Sequence, residues 1–242
     1  MLVLDGTVTC TERDEFVYHE MITHVPAQVH PEIHRALVVG GGDGGAAREL
    51  LRYSTIEHVD VVEIDQAVVQ ACSKHLPVLA DSLSDQRVSL IIDDGVEFLR
   101  RVQNGTYDLI LVDAVEPAGQ HSPAFDTDFY QGVRAALRAD GLMVLQTISP
   151  ALYMSRFREL RNTIAGVFGE ERLFCYLALL PTFTTGTASF LLASRDGLDP
   201  LEGLDCKAAD AFSDEENLHY YSGEIHRAAF ALPPHLRRSL ES

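Results

Sequence analysis

Basic residues are scarce in this sequence. Its 19 lysines and arginines stand against 36 aspartates and glutamates, which gives a formal net charge of −17. Such a charge opposes binding to nucleic-acid phosphates and to anionic membranes, and it favours small cationic partners. Solubility alone accounts for much of the acidity. The net charge therefore argues against nucleic acids and anionic membranes as partners more firmly than it identifies a particular partner.

Cysteines are also few and widely spaced. Cys10, Cys72, Cys175 and Cys206 form neither a C-x-x-C pair nor the paired spacing of small secreted domains, so we expect reduced thiols. The sequence does not open with a basic segment followed by an apolar one, and no apolar run approaches about 18 residues. These absences favour a cytoplasmic protein without a membrane span.

What the sequence does contain, from residue 36 onward, is a regular alternation of strand-like and helical patterns. Short apolar runs such as "ALVVG" and "YDLILVDA" are separated by amphipathic segments. Such runs indicate parallel strands that helices cover on both faces. The predicted fold class is therefore α/β, Rossmann-like and doubly wound, with a mainly parallel seven-stranded sheet. The last two strand candidates, "RLFCYLALL" and "TASFLLAS", lack an intervening helix, which predicts an antiparallel pair.

The first 35 residues follow a different pattern. "MLVLDGTVT" predicts a strand that reaches a turn, and "FVYHEMITHV" predicts a short helix leading to Pro26. Such a segment is too short to fold as a domain by itself. We therefore expect residues 1–35 to be a remnant of an N-terminal β segment plus a short helix, and residues 36–242 to form the Rossmann-like domain.

Four consecutive strand ends carry an acid, namely Asp43, Glu63, Asp94 and Asp113. Ligands of such sheets bind at the carboxyl ends of the strands, where the first crossover begins. Glu63 lies 23 residues beyond Gly40, close to the separation at which an acid binds a nucleoside ribose, although it could instead be a helix N-terminal charge. Asp94 could accept from an adenine amine or cap a helix. Together these positions predict an adenosine pocket.

The glycine-rich loop "GGGDGG" at residues 40–45 differs from a dinucleotide fingerprint, because Asp43 lies where a pyrophosphate would approach. An adenosine that carries a sulfonium and a free amine suits this loop, since both positive charges attract carboxylates. Intact S-adenosylmethionine brings a carboxylate that Asp43 would repel. Its decarboxylated form does not.

Seven motifs in order, among them "VVGGGDGGAARELL", "LILVDAVEP" and "YYSGEIHRAAFALP", closely resemble the spermidine synthase family of polyamine aminopropyltransferases. The resemblance implies a sheet of the S-adenosylmethionine-dependent methyltransferase type. It also implies transfer of an aminopropyl group from decarboxylated S-adenosylmethionine to putrescine or a related amine, with release of methylthioadenosine. The donor would be a co-substrate, no cofactor or metal would be permanently bound, and the assembly would be a homodimer or homotetramer.

The resemblance also implies a role for individual residues. Asp43 would hold the donor's ammonium, Glu63 the ribose hydroxyls and Asp94 the adenine, while Tyr18 and Asp113 would activate the amine. The chemistry itself requires a base, because an alkylammonium with a pKa near ~10 has no lone pair. The remaining residues that the resemblance assigns to the donor site are Gly40, Gly41, Gly95 and His19.

The acceptor end departs from the family pattern. Ile148 stands where relatives commonly have an acidic residue, and Phe183 stands where they usually have a tyrosine. Glu116 replaces a more common aspartate and either holds the acceptor chain or caps the next turn. Since burying an unpaired ammonium costs several kcal/mol, we expect putrescine to be a poor substrate unless neighbours such as Glu116 compensate.

Alternatives remain at this point. The resemblance leads us to expect that a β-rich segment of about fifty residues, which relatives carry before "LVLDG", is absent or lost here.

One rival function is a diamine N-methyltransferase that uses S-adenosylmethionine, which Asp43 disfavours. Another is an inactive polyamine-binding paralogue, which the presence of both Tyr18 and Asp113 disfavours. A zinc site at His19 and His24 is disfavoured, because their spacing is five residues rather than four.

Overall fold

A seven-stranded sheet forms the centre of the structure, a computed structural model that describes residues 1–4, 6–114 and 125–240. A separate two-stranded antiparallel hairpin precedes it. In chain order the strands are β1 (Leu2–Leu4), β2 (Thr7–Cys10), β3 (Arg35–Gly40), β4 (His58–Glu63), β5 (Val88–Ile92), β6 (Tyr107–Asp113), β7 (Leu137–Thr147), β8 (Leu173–Leu179) and β9 (Thr187–Ser194).

The strand order is β5-β4-β3-β6-β7-β9-β8, and the pairs from β5 through β7 are all parallel. Strand β9 is antiparallel to both of its neighbours, β7 and β8. The predicted fold class, including the final antiparallel pair, is confirmed. Because the chain moves outward in opposite directions from β3 and from β6, their carboxyl ends border the crevice in which doubly wound folds bind ligands.

Helices cover both faces of the sheet, and several begin at an aspartate whose side chain accepts a backbone N–H, as Asp65 and Asp126 do. No helix in the described part of the chain is long and apolar enough to cross a bilayer. In chain order the helices are α1 (Glu15–Ala27), α2 (Gly45–Leu50), α3 (Gln66–His75), α4 (Pro77–Ala80), α5 (Gly95–Arg101), α6 (Thr127–Ala136), α7 (Met154–Phe168), α8 (Cys206–Glu216), α9 (Gly223–Ala229) and α10 (Pro234–Leu240).

Two apolar cores lie on opposite faces of the sheet, because successive side chains of a strand point in opposite directions. In β6, Leu109 and Leu111 belong to the core that includes residues of α1 and α2. Ile110 and Val112 belong to the core that includes residues of α6 and α7. All four are at most 3% exposed. The continuous apolar run of this strand therefore reflects burial on both faces.

Helix α1 packs directly into the first of these cores. Met21, Ile22 and Val25 are completely buried there. The helix continues through Pro26 and ends at Ala27, slightly beyond the predicted end. A proline lacks the N–H that would bond the preceding turn, but this proline lies in the last turn, where the loss is confined to the helix end. The predicted boundary between residues 35 and 36 stays a prediction.

The carboxylate of Glu20 ties α1 to the C-terminal part of the chain. It accepts backbone N–H bonds from His219, Tyr220 and Tyr221 at 2.7–2.8 Å, and its residue is only 1% exposed. Three such bonds stabilise the buried carboxylate through backbone donors. The "YYSGEIHRAAFALP" motif therefore fixes the helix that carries Tyr18 and His19.

The histidine of that motif, His226, is fully buried and structural. Its Nε2 lies 3.0 Å from the carbonyl of Pro200, which can only accept, so Nε2 carries the hydrogen. Its Nδ1 then accepts from the hydroxyl of Tyr221 at 2.8 Å. Burial lowers the pKa of His226 to about 4, and the ring is neutral at physiological pH.

Candidate active site

The glycine loop after β3 places the backbone tightly against the end of β6. Gly40 and Gly41 have φ values of +87° and +70°, a region that favours glycine. The N–H of Gly41 donates to the carbonyl of Asp113 at 3.0 Å. A Cβ at Gly40 would lie 2.2 Å from that same oxygen, so no larger residue fits. The loop thereby fixes the position of Asp113 relative to Asp43.

Tyr18 and Asp113 meet at this edge of the sheet, as predicted for an amine-activating pair. The phenol of Tyr18 donates to Oδ1 of Asp113 at 2.6 Å. Desolvation and the charge of Asp43 raise the pKa of Asp113 to about 6. Burial and the charge of Asp113 raise the pKa of Tyr18 well above its ordinary value, so the phenol remains a donor.

Asp43 and His19 form the other half of this arrangement. Oδ1 of Asp43 lies 3.6 Å from Nε2 of His19 and also accepts the N–H of Gly45 at 2.9 Å. Burial disfavours the charged form of each side chain, but their mutual attraction outweighs it. The pKa of Asp43 is consequently held below its usual range, and that of His19 is raised to about 10.

Gly45 allows the His19 ring to lie against the start of α2. A Cβ at this glycine would lie 2.2 Å from Cε1 of His19, well inside van der Waals contact. The ring is only 2% exposed, so it has no free space into which it could move. The sixth residue of "GGGDGG" is therefore a glycine because of the histidine that packs on it.

Together His19, Asp43 and Asp113 form a charged cluster in which one donor atom of each lies within 4.8 Å of the other two. Two carboxylates and an imidazole at this spacing suit a small cation, and an alkylammonium with three N–H groups is one that they can satisfy. We expected no metal here. That expectation stays a prediction.

A second group of similar composition has a structural explanation. His30, Asp108 and Asp140 also lie within 4.8 Å of one another. Asp108, however, already accepts the backbone N–H groups of His34 and Arg35 at 2.9 and 2.8 Å and the guanidinium of Arg138 at 2.8 Å. A carboxylate held by an arginine at this distance is a poor ligand for a second cation.

Glu63 and Asp94, the predicted adenosine ligands, each have a backbone partner. Glu63 accepts the N–H of Gly42 at 3.1 Å and that of Asp65 at 2.9 Å. Asp94 caps α5 by accepting the N–H of Val96 at 2.8 Å. Since a carboxylate offers about four lone pairs, both retain capacity for a ligand. The structure brings both to the carboxyl edge of the sheet, and their ribose and adenine roles stay predictions.

The third glycine predicted for the donor site, Gly95, follows Asp94 at the start of α5. A Cβ there would lie 2.5 Å from Cγ1 of Val39. Glycine therefore lets the first turn of α5 pack closely on strand β3. Its predicted contact with the donor remains untested.

Two of the predicted acceptor residues pack against different apolar clusters, and their acceptor roles stay predictions. Phe183 lies near the amine-activating pair, with its ring centroid 6.5 Å from that of Tyr18. Its loop is held by Asp14, which accepts the backbone N–H of Thr182 at 2.8 Å. Ile148, which directly follows β7, packs against the core that includes residues of α6 and α7. Glu116 lies outside the described residues.

Sequence reasoning missed two charged residues beside the cluster. Glu15 accepts from Nδ1 of His19 at 2.6 Å and from both terminal nitrogens of Arg48 at 2.9 Å. Burial opposes the ionisation of Glu15, but His19 and Arg48 together hold its pKa below its usual range. The i, i+4 spacing of Glu15 and His19 on one helix is the signal that could have revealed the first contact.

Comparisons with known proteins agree with this geometry. Residues 15–201 match the model of a family described as the spermine/spermidine synthase domain. A polyamine aminopropyltransferase of Moorella thermoacetica is 42% identical over 242 residues, which cover 100% of this chain and 82% of that protein. One from Caldicellulosiruptor saccharolyticus is 40% identical over 241 residues, with coverage of 100% and 84%.

Two solved structures are similar throughout the chain. A spermidine synthase in complex with the transition-state analogue AdoDATO has a TM-score of 0.92 and 35% identity, and the match covers 99% of this chain and 80% of that one. The spermidine synthase from Thermotoga maritima has a TM-score of 0.91 and 34% identity, with coverage of 99% and 79%.

Proposed function

The chain belongs to the spermine/spermidine synthase family, and we propose that it transfers the aminopropyl group of decarboxylated S-adenosylmethionine to an amine. The observation that carries the proposal is the 2.6 Å hydrogen bond between Tyr18 and Asp113 beside the Asp43 carboxylate. This arrangement offers separate negative charges for a donor amine and for an acceptor amine at one edge of the sheet.

The donor is a co-substrate whose ammonium would pair with Asp43. The pKa of that carboxyl lies below its ordinary value, so it is ionised throughout the physiological range. Glu63 and Asp94 would hold the ribose and the adenine at the two neighbouring strand ends. A donor that kept its α-carboxylate would bring a negative charge toward Asp43, which costs free energy in a partly desolvated site.

Asp113 would take the proton from the acceptor. With a pKa of about 6 it is mainly ionised at neutral pH and can accept a proton from the bound ammonium. The sulfonium of the donor assists, since a nearby positive charge lowers the pKa of that ammonium. The hydroxyl of Tyr18 holds the carboxylate in place during the transfer.

The freed nitrogen lone pair would then attack the methylene carbon bound to the sulfonium. A carbon–nitrogen bond forms and the carbon–sulfur bond breaks, with its electron pair passing to sulfur. The products are a secondary ammonium and neutral methylthioadenosine. The role of the protein is to align the nitrogen, carbon and sulfur and to keep the nitrogen deprotonated.

A mass-spectrometric assay of the reaction products tests this function. The protein is incubated separately with decarboxylated and intact S-adenosylmethionine and a panel of amines. Methylthioadenosine together with an amine enlarged by one aminopropyl group supports the proposal. S-adenosylhomocysteine together with a methylated amine would instead identify a diamine N-methyltransferase, and the absence of any product would support a binding protein.

The family resemblance also implies a cellular compartment and an assembly. We propose a cytoplasmic enzyme that assembles as a homodimer or homotetramer. Light scattering on the purified protein gives the mass of the assembly, to be compared with 26.7 kDa for one chain. A monomer at micromolar concentration would contradict the second proposal.

A further inference from the structure

The two ring nitrogens of His19 face different environments. Nδ1 lies 2.6 Å from a carboxylate oxygen of Glu15, and both oxygens of Glu15 are held by Arg48. Nε2 faces the charged cluster, 3.6 Å from Asp43. The ring also packs against Gly45, which leaves no room for a Cβ between them. Nδ1 therefore contacts the Glu15–Arg48 ion pair, whereas Nε2 faces the site that would receive the amine.

We infer that Glu15, held by Arg48, is a positioning residue that keeps a hydrogen on Nδ1 of His19, so that binding of the donor amine expels the proton from Nε2. This inference rests on the proposed function, because it takes the amine of decarboxylated S-adenosylmethionine as the ligand. It assigns a task to two residues, Glu15 and Arg48, that would not themselves contact the donor.

Hydrogen-bonding capacity gives the first part of the argument. An ionised carboxylate only accepts hydrogen bonds, so the nitrogen that faces Glu15 must keep its hydrogen. The only proton that His19 can release is then the one on Nε2. Once it is released, Nε2 offers a lone pair to the cluster. An ammonium, which has three donors and no acceptor, gains a partner in that lone pair, whereas it would meet only a second donor in a protonated ring.

Electrostatics gives the second part. In the ligand-free protein the charge of Asp43 and the contact with Glu15 outweigh burial and raise the pKa of His19 to about 10. A bound ammonium neutralises the Asp43 charge, which is the largest contribution that favours protonation. Burial and the positive charge of the bound ammonium then both favour the neutral ring. Among the described residues, the charged or titratable groups that contact or act on His19 are Glu15 and Tyr18 of α1, Asp43 of the glycine loop and Asp113 of β6. Arg48 of α2 binds Glu15, and Cys10 of β2 lies close enough to Glu15, Asp43 and Asp113 for their charges to raise its pKa.

The other groups around the ring do not titrate in the relevant range. Burial and neighbouring acids raise the pKa values of the Cys10 thiol and the Tyr18 phenol, so both stay neutral near pH 8. Asp113 is mainly ionised above its pKa of about 6. Near pH 8, a proton released on donor binding would therefore come from His19.

The first experiment is performed without ligand. Nitrogen-15 NMR of the histidine ring, with the resonance assigned through a His19→Gln variant, reports the hydrogen on each nitrogen between pH 6 and pH 10. In the wild type both nitrogens should carry hydrogen at pH 8. In Glu15→Gln, which removes the charge but keeps an acceptor oxygen, the ring should lose a proton at least about one pH unit lower.

The second experiment measures proton release by calorimetry of decarboxylated S-adenosylmethionine in buffers of different ionisation enthalpy. The wild type should release about one proton per donor at pH 8, and its affinity should rise by up to about tenfold per pH unit below pH 10. At pH 9, where the wild type should still release nearly one proton, Glu15→Gln should release about half a proton or less. The matched control is Glu12→Gln, which removes an exposed acid shortly before α1 and should behave as the wild type.

Each outcome decides the inference. A neutral His19 ring at pH 8 in the ligand-free wild type would overturn it, even if Glu15→Gln failed to fold. Donor binding without proton release would also overturn it and would leave the proposed function intact. A protein that forms no aminopropylated amine would lack the proposed function, and the NMR comparison of Glu15→Gln with the wild type would still decide whether Glu15 controls the ring.

Discussion

The phenol of Tyr18 on helix α1 donates a 2.6 Å hydrogen bond to Asp113, which lies 95 residues further along the chain at the end of β6. The helix that precedes the sheet therefore supplies half of the proposed amine-activating pair. Its position depends on the buried side chains of α1 and on the three N–H bonds that Glu20 accepts from the C-terminal part of the chain.

Replacing Tyr18 by phenylalanine should alter the pH dependence of catalysis. The hydrogen bond from the phenol lowers the pKa of Asp113, so its loss should raise that pKa. At saturating donor, the acidic limb of the kcat/KM profile for the amine should move to higher pH, and kcat should fall by about tenfold to a hundredfold. Tyr153→Phe, at an exposed position, is the control. An unchanged limb would show that the phenol does not influence the base.

Asp113→Asn should lose activity and gain stability. General-base catalysis contributes about 10² to 10⁴ in rate, and a loss in that range is expected in kcat. The carboxyl binds its proton more tightly in the folded protein, where its pKa is about 6, than in the unfolded chain. The carboxyl therefore contributes fully to the free energy of unfolding at pH values below its pKa in the unfolded chain. That contribution is lost as the pH rises through about 6.

The stability part is measured by urea denaturation at several pH values. At pH 8 the free energy of unfolding of Asp113→Asn should exceed that of the wild type by about 1–3 kcal/mol. The difference should shrink toward pH 4. A variant that is less stable than the wild type at pH 8 would contradict the assignment of a desolvated carboxylate that the charge of Asp43 disfavours.

Asp43→Asn should remove the preference for a donor without a carboxylate. The wild type should bind decarboxylated S-adenosylmethionine more tightly than the intact form, because Asp43 attracts the amine and repels an added negative charge. The substitution should weaken binding of the decarboxylated form by about tenfold to a hundredfold and narrow the difference between the two donors. Calorimetry measures both affinities. Tighter binding of the intact form by the wild type would refute this role.

Gly45→Ala should damage both the fold and the site. The added methyl would collide with the buried His19 ring, and overpacking of this kind typically costs about 1–3 kcal/mol. Donor affinity should also fall. The control is Gly132→Ala in α6, where a Cβ would meet nothing closer than 3.7 Å and should stabilise the helix by about 0.5–1 kcal/mol. Equal thermal stability of the two variants would exclude the proposed clash.

Acceptor specificity should be tested with single substitutions. Phe183→Tyr adds a hydroxyl near Tyr18 and should lower the KM for putrescine if the predicted acceptor role is right, with each ~1.4 kcal/mol of binding giving about tenfold. Ile148→Glu is a different case, because it places a charge against an apolar core. We expect it to destabilise the protein. Micromolar use of putrescine by the wild type, unchanged in Phe183→Tyr, would show that Phe183 is neutral.

The sheet was predictable because its signal is local. Continuous apolar runs such as Leu109–Val112 must be buried on both faces, and an acid at each strand end marks the edge where ligands bind. The position of β9 between β7 and β8 is harder to predict from the sequence. A hairpin shows that two strands are adjacent, but strand-like runs do not reveal which of the two joins the parallel part of the sheet.

The proposed site was only partly predictable, because some of its contacts join residues that are far apart in the sequence. The sequence motifs predict Tyr18, Asp43 and Asp113 as site residues, and the structure brings them together. The contact between Glu15 and Arg48 joins two helices, and no spacing within either helix reveals it. The prediction that Ile148 and Phe183 border one acceptor pocket rests on the family resemblance alone, and it stays a prediction.

The central claim is aminopropyl transfer at the Tyr18–Asp113 pair, and one competition assay tests it most directly. Equal concentrations of decarboxylated and intact S-adenosylmethionine are supplied with an amine panel, and both adenosyl products are counted by mass spectrometry for the wild type and for Asp113→Asn. The account predicts methylthioadenosine in equal amount to an aminopropylated amine, with strong loss in the variant. S-adenosylhomocysteine as the main product, or methylthioadenosine formation that Asp113→Asn leaves unchanged, would contradict it.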